Sequence, residues 1–526
     1  MDIKSYIVSK NEFHKRIIND IQNLLEVNEV LAQKVIEDQL TFHIDQLKDS
    51  LSIVVEFPYV DKVYRNSYYY YFSSKLDNYF RDCIRLSFFN GNITDIDFKG
   101  KTDIDFKYNI DKEHLQSNFL GFMVLRPTIS NIIGRSIISP KALKDNGFIS
   151  CMAKFSTTVN SIKLDIEGFP YSSQDAETIS CAETTLWATM EYFSHRYAEY
   201  SPVLPSRIIE VLRGVSTERQ LPSKGLNVDQ ISYALREFGF GTKLYSRNEF
   251  GNLEFSRLFS CYIESGLPLI VGIDNRKYKG TTAHAVICIG HNKVTEDKVD
   301  FLKESKIEEK YFLLEEIKIT ETKYSDYYKS NNTSFYDNDD VEKKFVFIDD
   351  NRPVYQQLLF ENPVGGYTQP SFKNCEITHF IVPLYSKIYL EAFEAKNFCR
   401  KFIFNYLDVP DGLEFYLRFY LTSSRSYKDK LRFNQTFSDE IKQLILEKPM
   451  PKFIWVGEIS TKKLIKDHLA NGLILLDATE ANTSFLKPLL ISAYSNHLIS
   501  IDSTTHKISE KDLPLQNFSI FTNNLK

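Results

Sequence analysis

Cys181 stands where the residue pattern opens a helix. Ser180 is an N-cap residue, Glu183 follows as its capping-box partner, and Leu186, Met190, Phe193 and Tyr197 fall on one helical face. A thiol in the first turn of an amphipathic helix lies at the positive end of the helix dipole, which lowers a cysteine pKa and favours the reactive thiolate. A histidine and a carboxylate complete such a site, the first as base and the second as its orienting partner. Two later stretches offer them. Thr282-Ala-His-Ala-Val-Ile-Cys-Ile-Gly-His reads as a buried strand, with His284, Val286 and Cys288 on one face by the period of two. Phe345-Val-Phe-Ile-Asp-Asp-Asn reads as another, ending in Asp349 and Asp350.

Within this set the alternatives are ordered by geometry. His291, just past Gly290, is a weaker base than His284. Cys288 shares the face of His284 but lies about 13 Å along a strand rising roughly 3.3 Å per residue, which suits packing better than chemistry. Asp349 and Asp350 are expected to point to opposite faces, so that only one meets His284 and the other is a turn residue. Asn351 is a third choice for the orienting role.

Two strands and several helices must bring these groups together. Leu267-Pro-Leu-Ile-Val-Gly-Ile reads as a buried strand beside that of His284. Helices are expected over Ser206–Gly214, from Asn227 to a stop at Gly239, and over Leu253–Glu264. Upstream, Ile17, Ile18, Ile21, Leu24 and Leu25 form one helical stripe and Leu31, Val35, Ile36, Leu40 and Ile44 another. The stretch from Ser52 to Arg65 has strand-forming residues. The aromatic run Tyr68–Phe72 is read as packing rather than a stacking surface. Arg126 and Arg135 suit a carboxylate or phosphate ligand, though solvated or ion-paired side chains are the plainer reading. Between the His284 and Asp349 strands lies a charged, polar stretch, about 296–344, expected to form a mobile flap beside the cleft. From about 380 strands and helices alternate, as in a small α/β region.

At 526 residues the chain exceeds one ordinary core, and two or three domains are expected. The expected division is 1–165, a mixed α/β domain of unassigned role; 166–378, the domain with the thiol site and its insertion at about 296–344; and 379–526, an α/β region. The hydrophobic share of 43% and charged share of 25% are those of a soluble globular protein. A net charge of −5 gives no electrostatic case for nucleic acid or an anionic membrane as partner. The 7 cysteines are odd in number and lack Cys-x-x-Cys spacing, which points to free thiols in a reducing compartment. With no signal-type or membrane-spanning run, a cytoplasmic location is expected.

The order Gln174, Cys181 opening a helix, the Gly266-Leu-Pro-Leu-Ile-Val strand, the His284-Ala-Val-Ile-Cys-Ile-Gly strand and Ile348-Asp-Asp resembles that of C39-like cysteine peptidases. The resemblance covers about residues 170 to 355. It differs at Ala182, where the family commonly has Gly, and at Asp350, where it often has Pro. It implies an α+β, papain-like fold in which a helix carrying the nucleophile packs on an antiparallel sheet carrying His and Asp. It implies Cys181 as nucleophile, His284 as base, Asp349 or Asp350 as the orienting carboxylate and Gln174 in the oxyanion hole. No cofactor and no metal are expected. The function expected is then a thiol peptidase or isopeptidase acting on a protein or peptide. An acyltransferase or transglutaminase-type enzyme would use the same triad. A catalytically degenerate papain-like binding protein, with recognition by the terminal domains, is the alternative of another class.

Overall fold

The computed structural model describes residues 4–77, 79–99, 101–102, 108–216, 220–223, 225–275, 283–305, 334–407, 414–502, 505, 507–521 and 524–526. The fold is mixed α+β, built mainly on antiparallel sheets. The chain forms two compact units: Met1–Phe240 with Pro268–Asn292 and Lys344–Ile381, and Gly241–Leu267 with Lys293–Lys343 and Val382–Lys526.

The first unit carries every candidate site residue. One of its sheets runs, edge to edge, Lys4–Ser9, Leu51–Tyr59, Cys83–Asn90, Phe119–Leu125, Ile133–Ile138, Ile162–Tyr171 and Ala153–Val159, antiparallel throughout. The expected boundary near 165 falls inside Ile162–Tyr171. That strand pairs on both sides, so no linker is possible there. The Ser52–Arg65 run divides: Leu51–Tyr59 is a strand, and Asp61 then accepts the N–H groups of Val63 and Tyr64 and starts the helix Lys62–Tyr70. The Tyr68–Phe72 cluster belongs to this helix and its end. Phe72 is buried but Tyr69 is exposed, so the cluster is only partly core.

The second sheet of this unit places Cys375–Tyr385, Leu269–Asn275, Ala283–Asn292, Lys344–Ile348 and Gln356–Leu359 side by side, again antiparallel. Short Phe148–Ser150 pairs with the far end of the His284 strand. Gly290 permits this approach, since a Cβ there would run into the Ile149 carbonyl. The helix Cys181–Arg196 packs against Ala283–Asn292 and against Ile162–Tyr171 and Ala153–Val159 of the first sheet. It is therefore not amphipathic as expected: Ala182 to Phe193 are buried on every face. Its charged members survive by pairing. Buried Glu191 accepts Arg135 at 3.0 Å and Lys62 at 2.9 Å, and these cations outweigh burial to hold its carboxyl below the usual range.

The second unit holds a sheet of Ser334–Asp337, Glu414–Ser423, Phe453–Ser460, Gly472–Asp477, Leu489–Tyr494, His497–Ile501 and Ile508–Asp512. Only the first pairing is parallel. The C-terminal region is thus not α/β with crossover helices. Its neighbours pair antiparallel even where helices intervene, as Ser424–Phe433 and Asp439–Glu447 do between Glu414–Ser423 and Phe453–Ser460. Much of the expected flap, residues 306–333, lies outside the described residues. The downstream flank, residues 334–343, is part of the core of this unit rather than a flap. Phe335 is buried, Asp337 accepts Lys396 at 2.9 Å and Arg400 at 2.7 Å, and Arg257 Nε donates to Asp340 at 2.7 Å. Among the described residues no helix is long and apolar enough to cross a membrane.

Candidate active site

The thiol is positioned by a chain of hydrogen bonds that begins eight residues upstream. Arg126 is buried directly after the strand Phe119–Leu125. Its guanidinium donates to the carbonyls of Ser173 and Gln174 at 2.7 and 2.8 Å. This settles Arg126 as a loop clamp and Arg135 as the partner of Glu191; neither is a ligand-binding surface arginine. Asp175 then turns the chain. Its Oδ1 accepts the N–H groups of Glu177, Thr178 and Ile179 at 2.9, 2.6 and 2.9 Å, while Ala176 takes φ 62°. The Ser180–Glu183 capping box forms. Glu183 Oε2 accepts the Ser180 N–H at 3.1 Å and Oε1 accepts the Ser223 hydroxyl at 2.5 Å. The Glu183 charge is thereby tied back to the helix start. Cys181 is the half-exposed first residue of that helix; the other six cysteines are free and buried.

His284 comes from the start of its strand and is buried. Its Nε2 lies 2.9 Å from Asp349 Oδ1, and the Cys181 side chain is near enough to the same ring to raise its pKa. With Nε2 engaged by Asp349, Nδ1 is the ring nitrogen left for the sulfur. Burial alone would lower the imidazole pKa. The Asp349 charge and hydrogen bond, the Cys181 contact and the Asp350 charge outweigh it and raise the pKa well above its ordinary value. Asp349 shows the reverse balance: burial raises its pKa, but His284, the Asn351 N–H at 3.0 Å and the Tyr367 hydroxyl at 2.7 Å hold it below the usual range.

Asp349 and Asp350 do not point apart. The strand ends at Ile348, so its alternation stops before either residue, and the turn that follows brings both carboxyls toward the ring. Asp350 Oδ1 is 3.7 Å from His284 Nε2. Asp350 is buried, and apart from its own N–H neither of its oxygens has a hydrogen-bond partner. Burial, reinforced by the Asp349 charge, pushes its carboxyl up to about 7.

Gln174 is drawn to the same place. Its Nε2 donates to Asn351 Oδ1 at 2.8 Å, so Asn351 bridges the loop before Cys181 to Asp349 through its own N–H. His291 lies at the other end of the strand, paired opposite Ile149, with Nδ1 on the Asn292 carbonyl at 2.7 Å. Cys288 is fully buried, and burial raises its thiol pKa well above the ordinary value.

Five residues at the site carry no sequence signal. Tyr367 donates to Asp349 Oδ2, stacks on Phe372 at 3.9 Å, and meets the His284 ring edge-on together with Phe372. Arg352 lies over Tyr367 at 5.3 Å. Behind Asp350, the Tyr171 hydroxyl reaches its carbonyl at 3.3 Å, and buried His43 packs against Tyr171. The arrangement as a whole can make a nucleophile. A half-exposed thiol sits at a helix start, against a ring whose opposite nitrogen is held by an ionised carboxylate, and aromatic rings keep water from that bond.

Compared with protein-family models, curated proteins and solved structures, the chain matches none of them.

Proposed function

We propose that the first unit is a thiol peptidase or isopeptidase of the C39-like, papain-like kind, using Cys181, His284 and Asp349. The observation that carries this reading is the relay Cys181–His284–Asp349, with the thiol side of the ring on a helix start and the far nitrogen 2.9 Å from the carboxylate. In the proposed reaction the Cys181 sulfur, as thiolate beside the His284 imidazolium, attacks a carbonyl carbon. The carbonyl oxygen becomes an oxyanion that the Cys181 N–H at the helix start is placed to receive. Gln174 Nε2 is the second donor, and reaches the oxyanion by leaving Asn351. His284 gives its proton to the departing amine as the C–N bond breaks, leaving a thioester on Cys181. Water then attacks the thioester, its proton passing to His284, and releases the acid and the thiol.

The test is covalent capture. A peptide aldehyde or vinyl-sulfone probe should modify Cys181 in the full chain, located by peptide mapping. The adduct should be lost in Cys181→Ala and strongly reduced in His284→Ala. Absence of any adduct at Cys181, together with tight binding of peptides, would leave the degenerate binding protein as the better account.

A further inference from the structure

A cysteine relay needs one carboxylate behind the histidine, and Asp349 fills that role. It leaves the second buried carboxyl unexplained. Asp350 is placed as close as a ligand yet lacks donors: both oxygens are buried, and its own N–H is their sole hydrogen-bonding company. A carboxyl in that state costs free energy, which the His284 charge 3.7 Å away offsets only in part and without a hydrogen bond. The nearby Arg126 spends its donors on the Ser173, Gln174 and Asn131 carbonyls and on the Thr128 and Ser172 hydroxyls.

The positions of the three side chains suggest what could meet it. Nε2 of His284 is 2.9 Å from Asp349 Oδ1 and 3.7 Å from Asp350 Oδ1, and one ligand atom from each residue lies within 4.8 Å of the others. Zinc in tetrahedral coordination, with bonds of about 2.0–2.1 Å, separates its ligands by about 3.4 Å. The three atoms therefore already outline one face of such a tetrahedron, and closing it needs side-chain shifts rather than backbone movement. The Tyr367 hydroxyl stands beside that face, 3.4 Å from Nε2 and 2.7 Å from Asp349 Oδ2, where it or a water would complete the shell. Two carboxylates neutralise a dication, and an imidazole nitrogen selects zinc-type ions over magnesium, which prefers six oxygens.

We infer that His284, Asp349 and Asp350 form a binding site for a divalent zinc-type cation that switches the thiol site off. The ion bonds to the Nε2 lone pair and displaces the proton there to solvent. With Nε2 held by the ion the imidazolium that pairs with the Cys181 thiolate cannot form, and Asp349, drawn to the ion, no longer holds the ring. The switching consequence rests on the catalytic reading above; the binding does not.

The test therefore uses a chain without the nucleophile. Tag-free Cys181→Ala protein is titrated with Zn²⁺ by calorimetry, and with Co²⁺ to read N/O coordination from its visible spectrum. One ion per chain is expected, with affinity falling at least tenfold on adding Asp350→Asn and on adding His284→Ala. Near-UV circular dichroism checks that each variant is folded. Nitrogen NMR of the imidazole supplies a second reading that needs no variant: zinc should move Nε2 of His284 and leave Nδ1 protonated. No binding to Cys181→Ala protein, or binding at equal affinity in folded Asp350→Asn, or an unmoved Nε2, would overturn the site. None of these results depends on whether Cys181 turns over a substrate. Failure of the cation site and failure of the peptidase reading are thus separable.

Discussion

Gln174 and Asn351 lie 177 positions apart, and the Gln174 amide donates to the Asn351 side chain at 2.8 Å. Because the Asn351 N–H in turn holds Asp349 Oδ1, the loop that leads into the Cys181 helix is fastened to the carboxylate of the relay. An oxyanion donor parked on a neighbour has a measurable signature. Gln174→Ala should lower kcat by about 10²–10³ with little change in KM, as for loss of one oxyanion-hole donor. Asn351→Ala removes the parking partner and should change kcat far less. Equal losses in both variants would mean that Gln174 acts only by holding the loop.

Cys181 should be the one thiol that reacts in the folded chain. It is half-exposed, whereas the other six are buried, and burial pushes the thiols of Cys83, Cys151, Cys261, Cys288, Cys375 and Cys399 up. Brief alkylation with iodoacetamide at about pH 6, where ordinary thiols are almost wholly protonated, followed by peptide mapping, should label Cys181 far ahead of the rest. His284→Ala should remove most of that lead by taking away its counter-charge.

Of the two adjacent carboxyls, Asp349 is expected to matter more for turnover. It bonds Nε2 directly and is itself held by Tyr367 and the Asn351 N–H. Asp349→Asn should cut kcat by at least about 10², since an amide in its place favours the wrong tautomer. Tyr367→Phe deletes one hydrogen bond to a charged group, worth about 1.5–3 kcal/mol. It should lower kcat about tenfold or more while the fold persists. A single rate measurement on each, with thermal melting as control, checks both.

Stability should fall on the acid side through His43. Burial, and secondarily the Arg352 guanidinium, depress its pKa to about 3. An unfolded histidine titrates near about 6.5. Between these values the unfolded chain binds the extra proton, so folding free energy is lost as pH falls, by about 1.4 kcal/mol per pH unit within the window. Above the window the term is constant. Nδ1 of His43 has no hydrogen-bond partner, so an apolar ring can take its place without stranding a donor elsewhere. Denaturant melts of His43→Phe from pH 7 to 4 should show a shallower decline than the wild type.

The relay residues were legible because each sits at the start or end of a regular element. Ser180 and Glu183 mark a helix start, and His284 and Ile348 lie on apolar runs. What failed was reasoning carried one residue past an element's end. Alternation predicted that Asp349 and Asp350 would diverge, and the turn after Ile348 made them converge. Periodicity also misjudged the Cys181 helix, since Glu183 and Glu191 look like a solvent face until Ser223, Arg135 and Lys62 arrive from distant segments. Tyr367, Tyr171 and His43 were unreadable for the same reason: their roles depend on long-range contacts, not local pattern. Asp175 alone offered a missed local cue, a short acidic residue ahead of a turn.

The Arg126 clamp also bears on how such a chain could be shortened. Two carbonyls that set the path toward Cys181 are held by a guanidinium that belongs to the N-terminal sheet. A fragment trimmed to about 170–355 would keep every atom of the relay and lose the hand that aims it. Such a piece should still contain the thiol but scatter its direction. Any compact descendant of this chain would have to invent another cation for the same two oxygens, and the first 165 residues are in that sense inherited together with the chemistry.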